Sequence, residues 1–251
     1  MPEARATGVY VYGVLPASSA SLPALVGMDG AAVGYVRDDH LAAVVTEVSM
    51  PRPAGRRKDL LSHSDVLNAV AREHDVVPMR FGTVLPDRRA VVREVLEGQE
   101  PRLTAMLDRV AGAVQLNLRA TYHEDEVLAR VVRESPRIQV LRERTKDLPA
   151  GLPHPETLEL GRLVAARVAD LRMDDSELVT GAVRPFALDL RSRDRSSTDH
   201  VLDLALLVER GSVSGLEAAL ERLAREVRER MRLSLSEPLA AFDFVEEEAW
   251  V

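Results

Sequence analysis

Histidine and carboxylate pairs are the groups in this sequence whose side chains can bind a metal ion or transfer a proton. The six histidines do not form the His-Glu-x-x-His pattern, which points two imidazoles at one zinc ion from one face of a helix. Three segments place an imidazole near acidic residues, at 38–40, 123–126 and 199–203. Such segments are typical of turns and element ends, where solvated polar residues are expected. The sequence therefore predicts no metal site and no catalytic site.

The segment His63-Ser64-Asp65 has the residue types of a hydrolytic triad. Adjacent helical residues point in different directions, however, and the chain has no Gly-x-Ser-x-Gly elbow to expose a nucleophilic serine. We interpret the segment as the start of a helix. The chain also has no Gly-x-Gly-x-x-Gly or phosphate-loop motif, so the usual nucleotide-binding loops are missing. We expect no cofactor, and we predict that the protein is not an enzyme.

Composition excludes several other classes. The 251 residues include no cysteine, which rules out disulfides, iron-sulfur clusters and thiolate nucleophiles and is compatible with a reducing cytoplasm. The net charge of -7 argues against binding to nucleic acid as the main purpose. The sequence has no leader-like start and no run of about 18 apolar residues, so we expect neither secretion nor membrane insertion.

The first half of the chain predicts a small antiparallel sheet followed by helices. Hydrophobic spacing and breaker residues place strands at 9–15, 32–36 and 41–48, a helix at 59–73, a strand within 74–85, and helices from residues 87 and 101. The order is close to a rearranged ferredoxin-like sandwich. It predicts an N-terminal modified ferredoxin-like domain over residues 1–111.

The second half predicts the ferredoxin-like order again, with a helical insert. Strands are expected at 114–122, 178–191, 200–209 and 234–245, and helices from residue 124, from 137, over 155–172 and from 214. Ser214 and Glu217 have the spacing of a capping box, and an apolar stripe from Leu216 to Met231 follows them. We therefore predict an α+β protein of two domains, each an antiparallel sheet with helices on one face. The second domain covers residues 112–245, and 246–251 form a tail.

The segment His74–Leu85 combines apolar strand residues with two residues that constrain the backbone. Pro78 removes a donor from a strand ladder, and Gly82 permits a turn or a close backbone approach. On physical grounds this pattern favours an edge strand or a bulged core strand. The run Pro78-Met-Arg-Phe-Gly-Thr83 also resembles the "LPxRFGT" signature of the GvpL/GvpF family of gas vesicle proteins.

Two further segments carry the same resemblance. The opening Val9-Tyr-Val-Tyr-Gly-Val14 is similar to the start of the family, and Glu237–Val245 is similar to its closing pattern "GPLPPYSFV". In the closing segment Glu237 replaces a glycine, two alanines replace prolines, and Phe242 and Asp243 replace tyrosine and serine. These departures leave the choice between the L and F subfamilies open.

The resemblance implies an accessory or minor structural protein that is needed to build gas vesicles. It also implies a cytoplasmic location in association with the vesicles, binding to the small hydrophobic shell protein, and other Gvp accessory proteins as further partners. A shell subunit exposes apolar surface before it polymerises, and a soluble partner can cover that surface. Neither nucleic acid nor a membrane is expected as a partner.

The resemblance and the clustering of aromatic residues near the chain end give the candidate contact residues. Phe242, Phe244 and Trp250 lie close together in sequence, and Arg80 and Phe81 belong to the family signature. The alternative for the phenylalanines is ordinary core packing, and the signature residues can equally be structural. A small-molecule-binding regulatory module with ferredoxin-like domains is the alternative function, and an uncharacterised enzyme is a third.

Overall fold

A computed structural model describes residues 7–19, 24–50, 55–148, 154–193 and 199–245. These residues form two sheets with helices, which confirms the predicted α+β class. They divide into two compact units. Unit 1 takes the described residues up to Leu116, together with Leu207–Arg210 and those from Ser236, and unit 2 takes Asn117–Leu206 and Gly211–Leu235. The division into domains 1–111 and 112–245 with a tail at 246–251 stays a prediction, and the tail lies outside the described residues.

Unit 1 contains the first sheet and the helices that pack on it. Its strands are β1 (Thr7–Pro16), β2 (Gly34–Arg37), β3 (Leu41–Ser49), β4 (Val77–Pro78) and β5 (Val84–Leu85). Its helices are α1 (Arg57–Ala71), α2 (Arg88–Ala90, continued by a π-helical segment at Val91–Glu97) and α3 (Glu100–Val110). The strand order is β2-β3-β1-β4, and β5 also pairs with β1.

β1 is buried on both faces, because almost every one of its residues is apolar. Val9 and Val11 belong to one buried layer, which includes Val91 and Leu103 from the α2 and α3 region. Tyr10 and Tyr12 belong to another layer with residues of α1. Helices therefore cover both faces of this sheet, whereas the sequence placed them on one.

Most of the second sheet belongs to unit 2. The strands of this sheet are β6 (Ala113–Tyr122), β7 (Ala187–Ser192), β8 (His200–Glu209) and β9 (Met231–Leu235), in the order β7-β8-β6-β9. The first residues of β6, up to Leu116, and the last residues of β8, from Leu207, are assigned to unit 1. The helices of unit 2 are α4 (Glu124–Glu134), α5 (Pro136–Thr145), α6 (Pro155–Val183) and α7 (Val213–Val227). The last strand lies beside the first, as in the split β-α-β arrangement of ferredoxin-like folds. The first sheet repeats this spatial order of second, third, first and fourth strand.

Two predicted strands were wrong in part. The strand expected over 178–191 begins only at Ala187, because α6 continues to Val183 and Pro185 then interrupts the helix within the 3-10 turn Arg184–Phe186. Only the first two residues of the strand expected over 234–245 are extended in a strand, because β9 ends at Leu235, before Pro238. Beyond it, Leu239 makes a single bridge to Gln115, and Phe242–Phe244 form a 3-10 helix.

Two predicted helix starts were also wrong. α7 begins at Val213 after a 3-10 turn, so Ser214 lies inside the helix and does not cap it. Its stripe of Leu216, Leu220, Leu223 and Val227 is buried as expected, but Met231 belongs to β9. α1 begins at Arg57, so the segment at 63–65 lies inside that helix and is not its start.

Candidate functional site: the aromatic cluster around His63

Three elements of unit 1 bring aromatic side chains around His63, a buried residue of α1. β1 contributes Tyr10 and Tyr12, whose ring centroids lie 4.9 Å apart on the face that α1 covers. The ring of His63 stacks on Tyr12 and meets Tyr10 edge-on, each at 5.8 Å. Close approach of α1 to β1 depends on Gly13, because a Cβ there would lie 2.7 Å from Leu67 Cδ2. We call Tyr10, Tyr12, His63, Phe81 and Phe242 the aromatic cluster.

Burial of His63 beside the Tyr10 hydroxyl favours its neutral form. The Tyr10 hydroxyl accepts from the Gly82 N–H at 3.1 Å and lies 3.0 Å from His63 Nδ1. The hydroxyl can donate its own proton to Nδ1 of a neutral imidazole, and in that tautomer Nε2 carries the ring hydrogen. Burial lowers the pKa of His63 to about 4, and the backbone of Met79 acts in the opposite direction. Nε2 itself is buried and makes no hydrogen bond of normal geometry with the described residues.

The family-signature segment forms a turn between two short strands. The Met79 N–H donates to the Tyr12 carbonyl at 2.8 Å, and the Val11 N–H donates to the Thr83 carbonyl at 3.0 Å, so both sides of the turn are held by β1. Within the turn, Thr83 Oγ1 donates to the Arg80 carbonyl at 2.8 Å. Gly82 has a φ of +92°, a backbone conformation that other residues rarely adopt. The predicted single strand over 74–85 is thus β4, the turn and β5.

The turn places the signature phenylalanine against the histidine. The Phe81 ring meets His63 edge-on at 5.6 Å and is partly buried. Arg80 is exposed beside it. The backbone of the segment therefore builds the turn, the Phe81 ring packs against His63, and Arg80 is exposed.

The chain end reaches the same cluster through hydrogen bonds that fix its path. Asn68 Oδ1 of α1 accepts from the Ala240 N–H at 3.1 Å, and Gln115 Oε1 accepts from the Asp243 N–H at 2.9 Å. The Phe242 ring consequently lies 6.3 Å from His63 and remains 37% exposed. Phe244, two residues on, is 1% exposed.

The structure thus brings together some of the sequence-predicted site residues and separates others. Phe81 and Phe242 both contact the His63 ring, and Arg80 lies next to Phe81 on the surface. Phe244 packs inside the unit and offers no side-chain surface to a partner. Trp250 lies outside the described residues.

Sequence reasoning missed His63. The available signal was the helical spacing of positions 63, 66, 67 and 70, which share the buried face of α1. A histidine on such a face is a core residue, and its buried ring nitrogens need hydrogen-bond partners. The Tyr10 hydroxyl is the partner of one of them. In the described part of the chain no three His, Cys, Asp or Glu residues are placed to hold a metal ion.

The outward side of the cluster is suited to contact with an apolar surface. A partly exposed aromatic ring supplies contact area at low cost in side-chain entropy, and aromatic and arginine side chains are enriched at the centres of protein interfaces. Phe242, Phe81 and Arg80 provide this combination.

Among the helices of the described ranges, none has the length and apolar character needed to cross a membrane.

Comparison with known proteins gives concordant results for sequence and fold. The family model described as "Gas vesicle synthesis protein GvpL/GvpF" matches residues 8–246. A gas vesicle protein F from Streptomyces sp. (strain CB03234) is 32% identical over 241 residues, which cover 94% of this chain and 99% of that protein.

Two solved structures share the fold. The crystal structure of the gas vesicle protein GvpF from Anabaena sp. PCC7120 matches with a TM-score of 0.81 at 20% identity, covering 96% of this chain and 98% of that one. The crystal structure of GvpF from Microcystis aeruginosa matches with a TM-score of 0.76 at 19% identity, covering 95% and 99%. The predicted fold is confirmed by both.

Proposed function

The chain belongs to the GvpL/GvpF family of gas vesicle synthesis proteins, and from this premise we propose that it is a non-enzymatic accessory protein that binds the hydrophobic gas vesicle shell protein. In this role it supports assembly of the vesicle in the cytoplasm, alongside other accessory proteins of the vesicle. Its task is to cover apolar surface on shell subunits before they join the wall.

One observation carries this proposal. The family-signature turn and the chain end, which are about 160 residues apart in sequence, both direct a phenylalanine onto the ring of His63, and Phe242 remains partly exposed there. A pair of aromatic residues held by a rigid cluster loses little freedom on binding. We place the contact with the shell protein at Phe242, Phe81 and Arg80.

The physical basis is the burial of apolar area. A partner that covers the exposed part of Phe242 gains about 25 cal/mol for each Å² removed from water, and a ring at the centre of an interface commonly dominates its affinity. Arg80 is suited to the rim, where its charge steers the encounter and disfavours wrong partners.

A binding assay with the shell protein from the same organism tests the proposal. The purified chain is immobilised and compared with Phe242→Ala and Arg80→Ala, with Leu188→Ala as the control, because Leu188 is an exposed apolar residue of β7 in unit 2. Circular dichroism and thermal unfolding confirm that each variant is folded. We expect retention of the shell protein by the parent and the Leu188 variant, and clear loss with Phe242→Ala.

The outcomes separate the function from the position of the contact. If the folded Phe242 and Arg80 variants retain the shell protein as well as the parent does, the contact lies elsewhere. If the parent fails to retain shell protein that is demonstrably soluble, the proposed function is wrong.

A further inference from the structure

A groove of about 950 Å³ opens in unit 2 between α4 and α6. Its walls are mainly apolar: Val127 and Leu128 come from α4, and α6 contributes small and branched aliphatic residues. Val201 of β8 also lines it. Leu128 is 38% exposed, so apolar surface remains in contact with water along the groove. Concave, mostly apolar surfaces of this size with a few polar groups are characteristic of binding sites.

The wall formed by α6 has a regular pattern of small residues. Gly161, Ala165 and Ala169 recur every four residues and therefore lie on one face of the helix. Beside them run Val164, Val168 and Arg172, also at four-residue spacing. From Gly161 to Arg172 the groove follows α6 for twelve residues, or about 16 Å, which is three helical turns. A Cβ added at Gly161 would meet nothing within 4 Å.

Polar groups in the lining define which charge an occupant should carry. Among the described residues of the lining, Arg172 is the one arginine, while Glu124 and Asp199 supply two carboxylates. Arg172 also lies close enough to Tyr122 to influence that phenol electrostatically. His200 lines the groove too, and its Nε2 is buried without a hydrogen-bond partner among the described residues. These described side chains carry more negative than positive charge, which complements a basic group.

We propose that this groove binds an amphipathic helix of the gas vesicle shell protein, with the apolar face of that helix against the Gly161 stripe and a lysine or arginine near Glu124 and Asp199. The inference rests on the proposed function and adds a second contact to the one at Phe242. The two contacts lie in different units of the chain.

The geometry of the groove favours a helix over an extended strand as its occupant. Both long walls are α-helices whose backbone donors are already used within the helices, so a partner strand finds no free strand edge along them. Small residues at four-residue spacing let two helix axes approach closely, as ridges of one helix enter the grooves of the other. A length of three turns matches a short helical segment with apolar residues at positions i, i+4 and i+7.

Two glycines of α6 allow a matched test. Gly161→Leu fills the groove, and Gly181→Leu makes the same change in the same helix outside it; neither added Cβ meets an atom within 4 Å. Both changes also replace a helical glycine by a better helix former. With the shell protein as probe, we expect Gly161→Leu to raise the dissociation constant about tenfold or more and Gly181→Leu to leave it nearly unchanged.

Cross-linking identifies the segment that occupies the groove. Because the chain has no cysteine, Leu128→Cys carries one photoreactive label on the groove wall, and Val140→Cys places the same label on an exposed position of α5. After irradiation with the shell protein, mass spectrometry maps the attached peptide. We expect conjugates from Leu128→Cys alone, on one segment of the shell protein that is helical and has a basic residue beside its apolar face.

The outcomes distinguish this inference from the proposed function. If the parent binds the shell protein but Gly161→Leu binds equally well, the groove is not the contact and the function stands. Conjugates at a strand or a disordered segment, or equal labelling from position 140, overturn the helix as occupant. Failure of the parent to bind the shell protein rejects the proposed function and this inference together.

Discussion

The guanidinium of Arg210 lies 2.7 Å from the carboxylate of Asp75, its partner 135 residues earlier in the chain. The same guanidinium donates to the carbonyls of Ala71 and His74, at the end of α1 and just beyond it, at 3.0 and 2.8 Å. Asp75 also accepts from the Gly112 N–H at 2.9 Å, directly before β6. One arginine therefore satisfies carbonyls that the end of α1 leaves without partners. Through Asp75 it also links the end of α1 to the start of β6.

Replacing Arg210 should destabilise unit 1 more than its partly exposed position suggests. Arg210→Ala leaves several acceptors without their donor, and we expect the free energy of unfolding to fall by about 2–3 kcal/mol. Arg210→Lys keeps the charge but loses the planar guanidinium, so its loss of unfolding free energy should be smaller than that of Arg210→Ala. Urea unfolding measures both. The control is Arg72→Ala, which removes an exposed pair with Glu237 and should cost about 0–1 kcal/mol. Equal losses for Arg72→Ala and Arg210→Ala would refute this assignment.

The signature turn should depend on its glycine. Gly82 has a φ of +92° and open space around its Cβ position, so the penalty for Gly82→Ala is one of backbone conformation and not of collision. We expect a loss of about 1 kcal/mol or more in the free energy of unfolding. Gly34→Ala in β2 is the control, since Gly34 also has open space and has no positive φ. It should be neutral or slightly stabilising.

Burial of His63 predicts a specific dependence of stability on pH. An unfolded histidine takes up a proton near pH 6.5, whereas the pKa of His63 in the folded protein is lowered by burial to about 4. Between these values the unfolded chain binds more protons, so the free energy of unfolding decreases as the pH falls from 6.5 toward 4. The contribution of His63 over this window is about 3 kcal/mol.

A comparison of variants isolates that contribution from the other titrating groups. His63→Asn keeps an acceptor near Tyr10 but does not titrate, so its unfolding free energy should vary less than that of the parent between pH 6.5 and 4. His40→Asn, at an exposed position, should follow the parent curve. If the curves of His63→Asn and the parent stay parallel through the window, the neutral buried state assigned to His63 is wrong.

Local pattern was sufficient for most of the fold. β8 was predicted at 200–209 and is observed as His200–Glu209, because its long apolar run ends in polar residues on both sides. The start of α6 was predicted at residue 155, where it is observed, and Pro155 suits a first turn. The end of α6 was missed because Val179, Thr180 and Val183 are β-branched, a composition that favours strands. The buried residues 171, 175, 179 and 183 recur every four positions, which is the spacing of one face of a helix.

The candidate site was less predictable, because it depends on contacts between distant segments. Phe81 and Phe242 were singled out from their sequence context, yet no local pattern placed them on one histidine. That placement depends on Asn68 and Gln115, whose amides hold the backbone of the chain end through hydrogen bonds. The groove of unit 2 is of the same kind: its small residues lie on one stripe of α6, but the cavity exists only because α4 stands opposite.

The last prediction concerns the carboxylate of Asp175, which is buried in unit 2. Asp175 accepts from the Tyr122 hydroxyl at 2.9 Å and from Arg230 through two nitrogens, the shorter distance being 2.7 Å. This hydrogen bonding raises the pKa of Arg230, and burial together with Asp175 raises the pKa of Tyr122. Asp175→Asn leaves a partly buried guanidinium without its counterion, so we expect a loss of about 3 kcal/mol in the free energy of unfolding.

A double-mutant cycle with Arg230→Gln tests whether the two side chains act as a pair. The double variant should lose less than the sum of the single variants, with a coupling of about 1–3 kcal/mol, because removing both charges leaves neither of them uncompensated. Glu134→Gln, which alters an exposed pair with Arg130 on α4, should change stability little. Additive losses for Asp175→Asn and Arg230→Gln would mean that each residue stabilises unit 2 through other contacts, such as the hydrogen bond between Tyr122 and Asp175.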